Sequence, residues 1–229
     1  MRAFFASYTL PPFLSQLCRY KYARTEIEGW EVLIRRELIR RNQEIVEDAS
    51  HLLTVKLQEI KTAIPAQHHS FLTQIKFWIE ESNPDFSGMV YHPSAKWLQN
   101  HGYNPLKAKA IEIANIQNFI TWDSIQPWHV LHELTHAYHH QVITHDFQPL
   151  IQAYEYAKEQ GLYQRVPRNN GKITTAYALG NVKEYFAELS EAYFGENDFF
   201  PFNREQLRGY DTRGYSAVEA AWDILATEE

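Results

Sequence analysis

A single cysteine, Cys18, occurs in the 229 residues, so no disulfide can form within the chain and its core must hold the fold. A reducing compartment suits such a chain. Basic tracts are also scarce. Lys and Arg number 22 against 28 Asp and Glu, a formal charge of −6, and nothing is more basic than "IRRELIRRN". Nucleic acid is therefore not an expected partner, because phosphate binding needs a concentrated basic face. No apolar run approaches the ~20 residues of a membrane span. The opening, "MRAFFASYTLPPFLSQLCRY", has short apolar runs broken by Pro11 and Pro12 and no small-x-small cleavage site, so no export signal is expected and the cytoplasm is the expected compartment. Glycine is sparse, at 9, and there is no internal repeat, low-complexity tract or Gly/Ser linker.

What is present is apolar and aromatic: 45% hydrophobic residues, with 14 Tyr and 13 Phe, in a chain long enough to bury a sizeable core. Alternation at Trp30, Val32 and Ile34 predicts a strand. From Asn42 to Ile64, apolar residues such as Val46, Ala49, Leu53, Leu57 and Ile60 recur at helical spacing, and Pro65 ends the run. "LTQIKFWIE", "GMVYH" and "AIEIANI" read as further strands, with a turn at Asn83-Pro84-Asp85 and a small helix at Ala95–Asn100. Beyond residue 122 the pattern becomes helical. One helix is predicted from a cap at Asp123 or Ser124 to about Val142, with Pro127 in its first turn. Others are predicted from Gln148 to Gln160, closed by Gly161, from Asn181 to Phe194, and over the tail "YSAVEAAWDILATEE". The expected class is α+β: a small twisted mixed sheet with one long helix in residues 1–122, a helical part in 123–229, and a cleft between them in one domain.

Five of the 11 histidines fall within "HVLHELTHAYHH", residues 129–140. His132-Glu133-Leu134-Thr135-His136 has the form H-E-x-x-H. On an α-helix, residues four apart lie about 40° apart around the axis and ~6 Å along it, so both imidazoles can reach one ion. Glu133 is then placed to contact water at that ion without ligating it. The metzincin extension is missing, with His139 in the Gly place and Val142 in the His place, so a third ligand must come from another segment. Downstream, Glu184, Glu188 and Glu191 share one helical stripe. Such a stripe also suits a solvated face, but this helix is rich in aromatics, and an acid one turn after a ligand can orient a ligating histidine. His139 and His140 overshoot the ion, and His129 and His145 read as cap or surface groups. Asp198 to Phe202 read as packing the turn after that helix.

The combination of His132-Glu133-Leu134-Thr135-His136, then Tyr177, then Glu184-Tyr185-Phe186-Ala187-Glu188 resembles the catalytic domain shared by anthrax lethal factor, the Pro-Pro endopeptidases and the Mlc titration factor. The likeness covers roughly residues 123–200. "YHPSAKWLQ" and "AYFGENDFFPF" also resemble segments of bacterial metallopeptidase-like proteins. The resemblance implies a zincin-like fold of gluzincin type, with one Zn²⁺ per chain held by His132, His136 and Glu184. It implies Glu133 as general base, Tyr177 as donor to the substrate carbonyl, and Glu188 as hydrogen-bond partner of a ligating histidine. Asn181 has a counterpart in some members. The expected function is a zinc metallopeptidase acting on a peptide or protein, and by fold analogy "AIEIANI" is the sheet edge that pairs with substrate. The alternatives are a metallopeptidase-fold protein that works by binding a partner, and a metal-binding protein that uses only the histidine cluster.

Overall fold

The computed structural model describes residues 21–223. Cys18 and the expectation of no export signal lie outside the described residues. The chain opens with two antiparallel strands, β1 (Tyr22–Ile27) and β2 (Trp30–Arg35). Glu28 and Gly29 join them with φ of 52° and 91°. Positive φ at both central residues of a two-residue hairpin matches the right-handed twist of the strands. β1 was not foreseen: its sequence, YARTEI, is polar, half of it is exposed and none of it buried, and it carries no apolar alternation. On β2 the predicted alternation is observed, with Trp30, Val32 and Ile34 facing the main core.

α1 (Arg36–Arg41) leads into the long helix α2 (Gln43–Ala63), which Asn42 caps by accepting from the Ile45 amide. After a short turn of helix, β3 (Phe77–Ile79) runs parallel to β2. Then come β4 (Met89–His92), α3 (Ala95–Asn100) and β5 (Ala110–Ile113). The five-stranded sheet has the order β1-β2-β3-β5-β4, with β2, β3 and β5 parallel and the two outer strands antiparallel to their neighbours. "AIEIANI" therefore lies inside the sheet, and β4 is the edge on that side, with β1 at the other. The edge assignment is corrected accordingly: β5 is apolar enough to be buried throughout, which suits a strand paired on both sides.

α4 (Ile116–Trp122) follows, capped by Asn115. Its last turn occupies the place where a cap was predicted: Asp123 has helical φ and ψ, and its carboxylate pairs with Lys56 at 3.0 Å. The histidine helix α5 (His129–Tyr138) consequently starts after Pro127, with Trp128 before its first turn, and continues into a π-helical turn at His139–Ile143. α6 (Gln148–Glu159) ends near Gly161, which has φ of 70°. A two-stranded ribbon, β6 (Val166–Pro167) and β7 (Ile173–Thr174), precedes α7 (Val182–Phe194). α8 (Arg204–Tyr210), capped by Asn203, was not predicted, and the tail helix α9 (Thr212–Ala221) begins earlier than its apolar pattern suggests because Asp211 caps it at the Gly214 amide.

Within the core, α5 packs between the sheet and α7. Leu131, Leu134, Phe186, Leu189 and Trp222 are all essentially inaccessible. No described helix is long and apolar enough to cross a membrane.

Candidate metal centre

α5 and α7 are fixed to each other by a close approach at one end. A Cβ built on Gly195 would fall 1.8 Å from Trp128 Cε2, so the chain leaving α7 touches the indole that precedes α5. Asn181 fixes the other end. Its side-chain oxygen accepts from the amides of Lys183 and Glu184, which starts α7 with Glu184 in its first turn.

With the two helices so placed, Nε2 of His132 and Nε2 of His136 each lie 3.1 Å from the same carboxylate oxygen, Oε2 of Glu184. His132, His136 and Glu184 offer ligand atoms that all lie within 4.8 Å of one another. Tetrahedral zinc with Zn–N and Zn–O of about 2.0–2.2 Å separates neighbouring ligand atoms by ~3.4 Å, so two imidazoles and one carboxylate fit such an ion in donor type and in spacing. A second group, His132 with Glu188 and Glu191, is fully buried and meets the same separation. The described residues thus contain buried His/Glu groups able to hold a metal ion.

The Glu184 carboxylate and the two imidazoles are partners of one another. Burial alone would raise the Glu184 carboxyl, but hydrogen bonds and charge from His132 and His136 hold it far below the usual carboxylate range. Burial disfavours the His132 imidazolium, and Glu184 and Glu191, bonded to its two nitrogens, more than reverse this.

The outer nitrogen of His132 finds Glu191: Nδ1 lies 2.7 Å from its Oε1 and 3.9 Å from the nearer oxygen of Glu188. The sequence placed Glu188 in that position. Glu191, one turn further along the same stripe, holds it instead, and Glu188 accepts from Asn197 Nδ2 at 3.2 Å.

Glu133 is 6% exposed, and both its oxygens are engaged. Oε2 accepts the Tyr91 amide at 2.6 Å, and Oε1 lies 3.3 Å from His129 Nε2. His129, expected as a cap or surface group, therefore touches the predicted base from one turn earlier on the same helix. Burial favours the neutral acid, but the imidazoles of His129, His136 and His132 outweigh it, and the Glu133 carboxyl is lowered. The Tyr91 contact follows from strand parity. Gly88 and His92 bond inward to the β5 side, which leaves the backbone groups of Met89 and Tyr91 on the free edge. Sequence reasoning missed this contact because a backbone donor leaves no trace in residue type.

Tyr177 sits at the rim, 55% exposed, with its ring centroid 6.2 Å from that of His132. Burial and the Glu184 charge raise its phenol, so it stays protonated and able to donate. A cleft of about 640 Å³ runs between β4 and the two helices and is lined by His132, Glu133, His136, Tyr177 and Glu184 among others. Of the turn expected to pack after α7, Asp198 is buried while Phe199 also lines the cleft. Beyond the centre, His139 is buried and its Nδ1 has no hydrogen-bond partner among the described residues. Burial and then His145 push its pKa down to about 4.

No family model, curated protein or solved structure matches the chain.

Proposed function

We propose that the protein is a zinc-dependent peptidase whose metal is held by His132, His136 and Glu184. The observation that carries this reading is the convergence of two Nε2 atoms on one Glu184 oxygen, with the Glu133 carboxylate on the same cleft wall. When bound, zinc supplies Lewis acidity toward water and toward the scissile carbonyl. Glu133, kept ionised by its imidazole neighbours, takes the proton of the attacking water and passes it to the leaving amine. Tyr177 donates its hydroxyl hydrogen to the carbonyl oxygen as negative charge develops there. The free edge of β4 offers the Met89 backbone and the Tyr91 carbonyl to an extended peptide, while the Tyr91 amide holds Glu133 in place. This combination supports hydrolysis over simple metal storage, because neither Glu133 nor Tyr177 is needed to hold an ion.

The test is zinc content by elemental analysis of wild type, Glu133→Ala and Glu184→Ala, with folding checked by circular dichroism. Near one zinc per chain in wild type and Glu133→Ala, and a clear loss in folded Glu184→Ala, is the expected result. Cleavage of a peptide library by wild type but not by Glu133→Ala completes it. Zinc retained by Glu184→Ala would sink the ligand assignment.

A further inference from the structure

α5 and α7 run past each other in opposite directions along the cleft, so its two ends differ in charge. Gly195, just beyond α7, meets Trp128 at the start of α5, while Glu184 in the first turn of α7 meets His132 and His136 further along. The end near Trp128 therefore receives the acids Glu188 and Glu191. Arg168, which also lines the cleft, is already paired with Asp198, Nη2 to Oδ2 at 2.7 Å. The opposite end collects His140 and His145 from beyond α5 and Lys183 from the start of α7, all three on the cleft wall. Acids near them are spent elsewhere. Glu184 turns Oε2 to His132 and His136, and Asp146, beside His145, accepts from Thr144 Oγ1. The side chains whose charge acts most on His140 are all basic: His145, Lys109 and Lys183.

His140 also has a hydrogen to give. Gln141 Nε2 donates to the Tyr91 hydroxyl oxygen at 3.1 Å, and that hydroxyl lies 2.8 Å from His140 Nδ1. Burial raises the Tyr91 phenol, so it keeps its hydrogen and donates it to Nδ1. A neutral imidazole that accepts at Nδ1 carries its own hydrogen on Nε2. No group among the described residues accepts that hydrogen. The His145 ring stacks beside it, with centroids 5.8 Å apart. Lys183 is exposed and adds a full positive charge. This end of the cleft is therefore rich in donors and short of acceptors.

We propose that His140, His145 and Lys183 form a subsite for a carboxylate of the peptide substrate, from an Asp or Glu side chain or from the C-terminus. This rests on the peptidase reading and adds the substrate class. A carboxylate has lone pairs for the His140 Nε2 hydrogen and the Lys183 ammonium together, and its charge answers theirs. His140 follows the ligand His136 by one helical turn, ~6 Å along the axis, so a residue held beside the scissile bond can reach it.

Calorimetric titration of the zinc-loaded protein with glutaric monohydroxamate and with its primary-amide analogue tests it. The two share the metal-binding head and differ only in the charge at the far end. The acid should bind at least ~5-fold tighter than the amide, a gap expected of a charge-assisted hydrogen bond. Lys183→Gln, a change at an exposed side chain, should bring the two within about twofold while keeping the affinity of the amide, which also shows that the variant is folded. A smaller gap in wild type, or one that survives Lys183→Gln, overturns the proposal. Peptide pools then separate the sources, with neutral, C-terminally amidated peptides as the control. Preferred cleavage of amidated peptides containing Asp or Glu assigns the subsite to a side chain, and preferred cleavage of neutral peptides with a free C-terminus assigns it to the terminus. Cleavage of neither pool above the control overturns the proposal. Glutarate, which has no hydroxamate, separates the two readings. If the protein takes up no zinc and no hydroxamate binds, but glutarate binds and is lost in Lys183→Gln, the metal reading fails and the carboxylate site stands. No binding of glutarate or of either hydroxamate overturns both.

Discussion

In the proposed reaction Glu133 accepts a proton while almost wholly removed from water, and its surroundings suit that role. Three imidazoles favour its ionised form, and the Tyr91 amide fixes the orientation of the carboxylate. Tyr177, by contrast, is a rim residue whose phenol stays protonated. Tyr177→Phe should therefore lower kcat by about a hundredfold, close to 3 kcal/mol, with zinc content unchanged. A KM effect without a kcat effect would place the phenol in substrate binding instead. The two carboxylates behind His132 are also separable. Glu191 fixes the imidazole through Nδ1, so Glu191→Gln should weaken zinc affinity about 10- to 100-fold in competition with a chelator. Glu188→Gln should leave it within a few-fold. Equal losses in both variants would mean that the two acids share the histidine.

At the level of elements, the centre depends on how α5 and α7 are held together. The touching pair is Gly195 and Trp128, and no side chain fits between them. Gly195→Ala should cost about 3 kcal/mol or more, as overpacking against a clamped ring does, and should be read as a fall in the thermal midpoint. The double variant with Trp128→Leu should recover part of that loss. An unaltered midpoint in Gly195→Ala would show that the two helices are free to move apart. The same element logic explains the helix boundaries. Asn42, Asn115, Asn181 and Asn203 each accept a backbone amide at a helix start, and where a cap was expected at Asp123 the carboxylate had been taken by Lys56. With helical φ and ψ at the end of α4, Asp123 also lacks the extended backbone from which a residue caps the next helix.

Across the whole molecule, the edge strand is anchored by charge as well as by its ladder. His92 on β4 bonds Glu112 on β5 at 2.7 Å, and Lys107 bridges Glu112 and Glu80 at 2.7 and 2.6 Å. Burial opposes ionisation of Glu112, but His92 and Lys107 prevail and hold its carboxyl at about 2, down from 4.5. A carboxyl depressed on folding contributes stability that is fully present above its unfolded value and is lost as pH falls through the folded one. Between about pH 4.5 and about pH 2 this group should remove on the order of 3 kcal/mol. Urea midpoints of wild type should therefore fall more steeply over that window than those of Glu112→Gln. Parallel slopes would remove Glu112 from the account of acid stability.

Periodicity and spacing determined a good deal about this protein. The i, i+4 interval in His132-Glu133-Leu134-Thr135-His136 is enough to aim two imidazoles the same way, because helix geometry is local. The Glu184 stripe, the Asn181 cap and the Ala95–Asn100 helix follow from neighbours within a turn or two. Tertiary structure alone decided which strand is the sheet edge, since β4 and β5 are both short and apolar and only their order in the sheet separates them. It decided that Glu191, not Glu188, meets His132, because one turn of α7 shifts that choice and the rotation of α7 against α5 is set by packing about sixty residues apart in sequence. It also decided that a backbone amide of Tyr91 holds Glu133. Local sequence encodes which way a side chain points from its own element, and the partner it finds there depends on how distant elements pack.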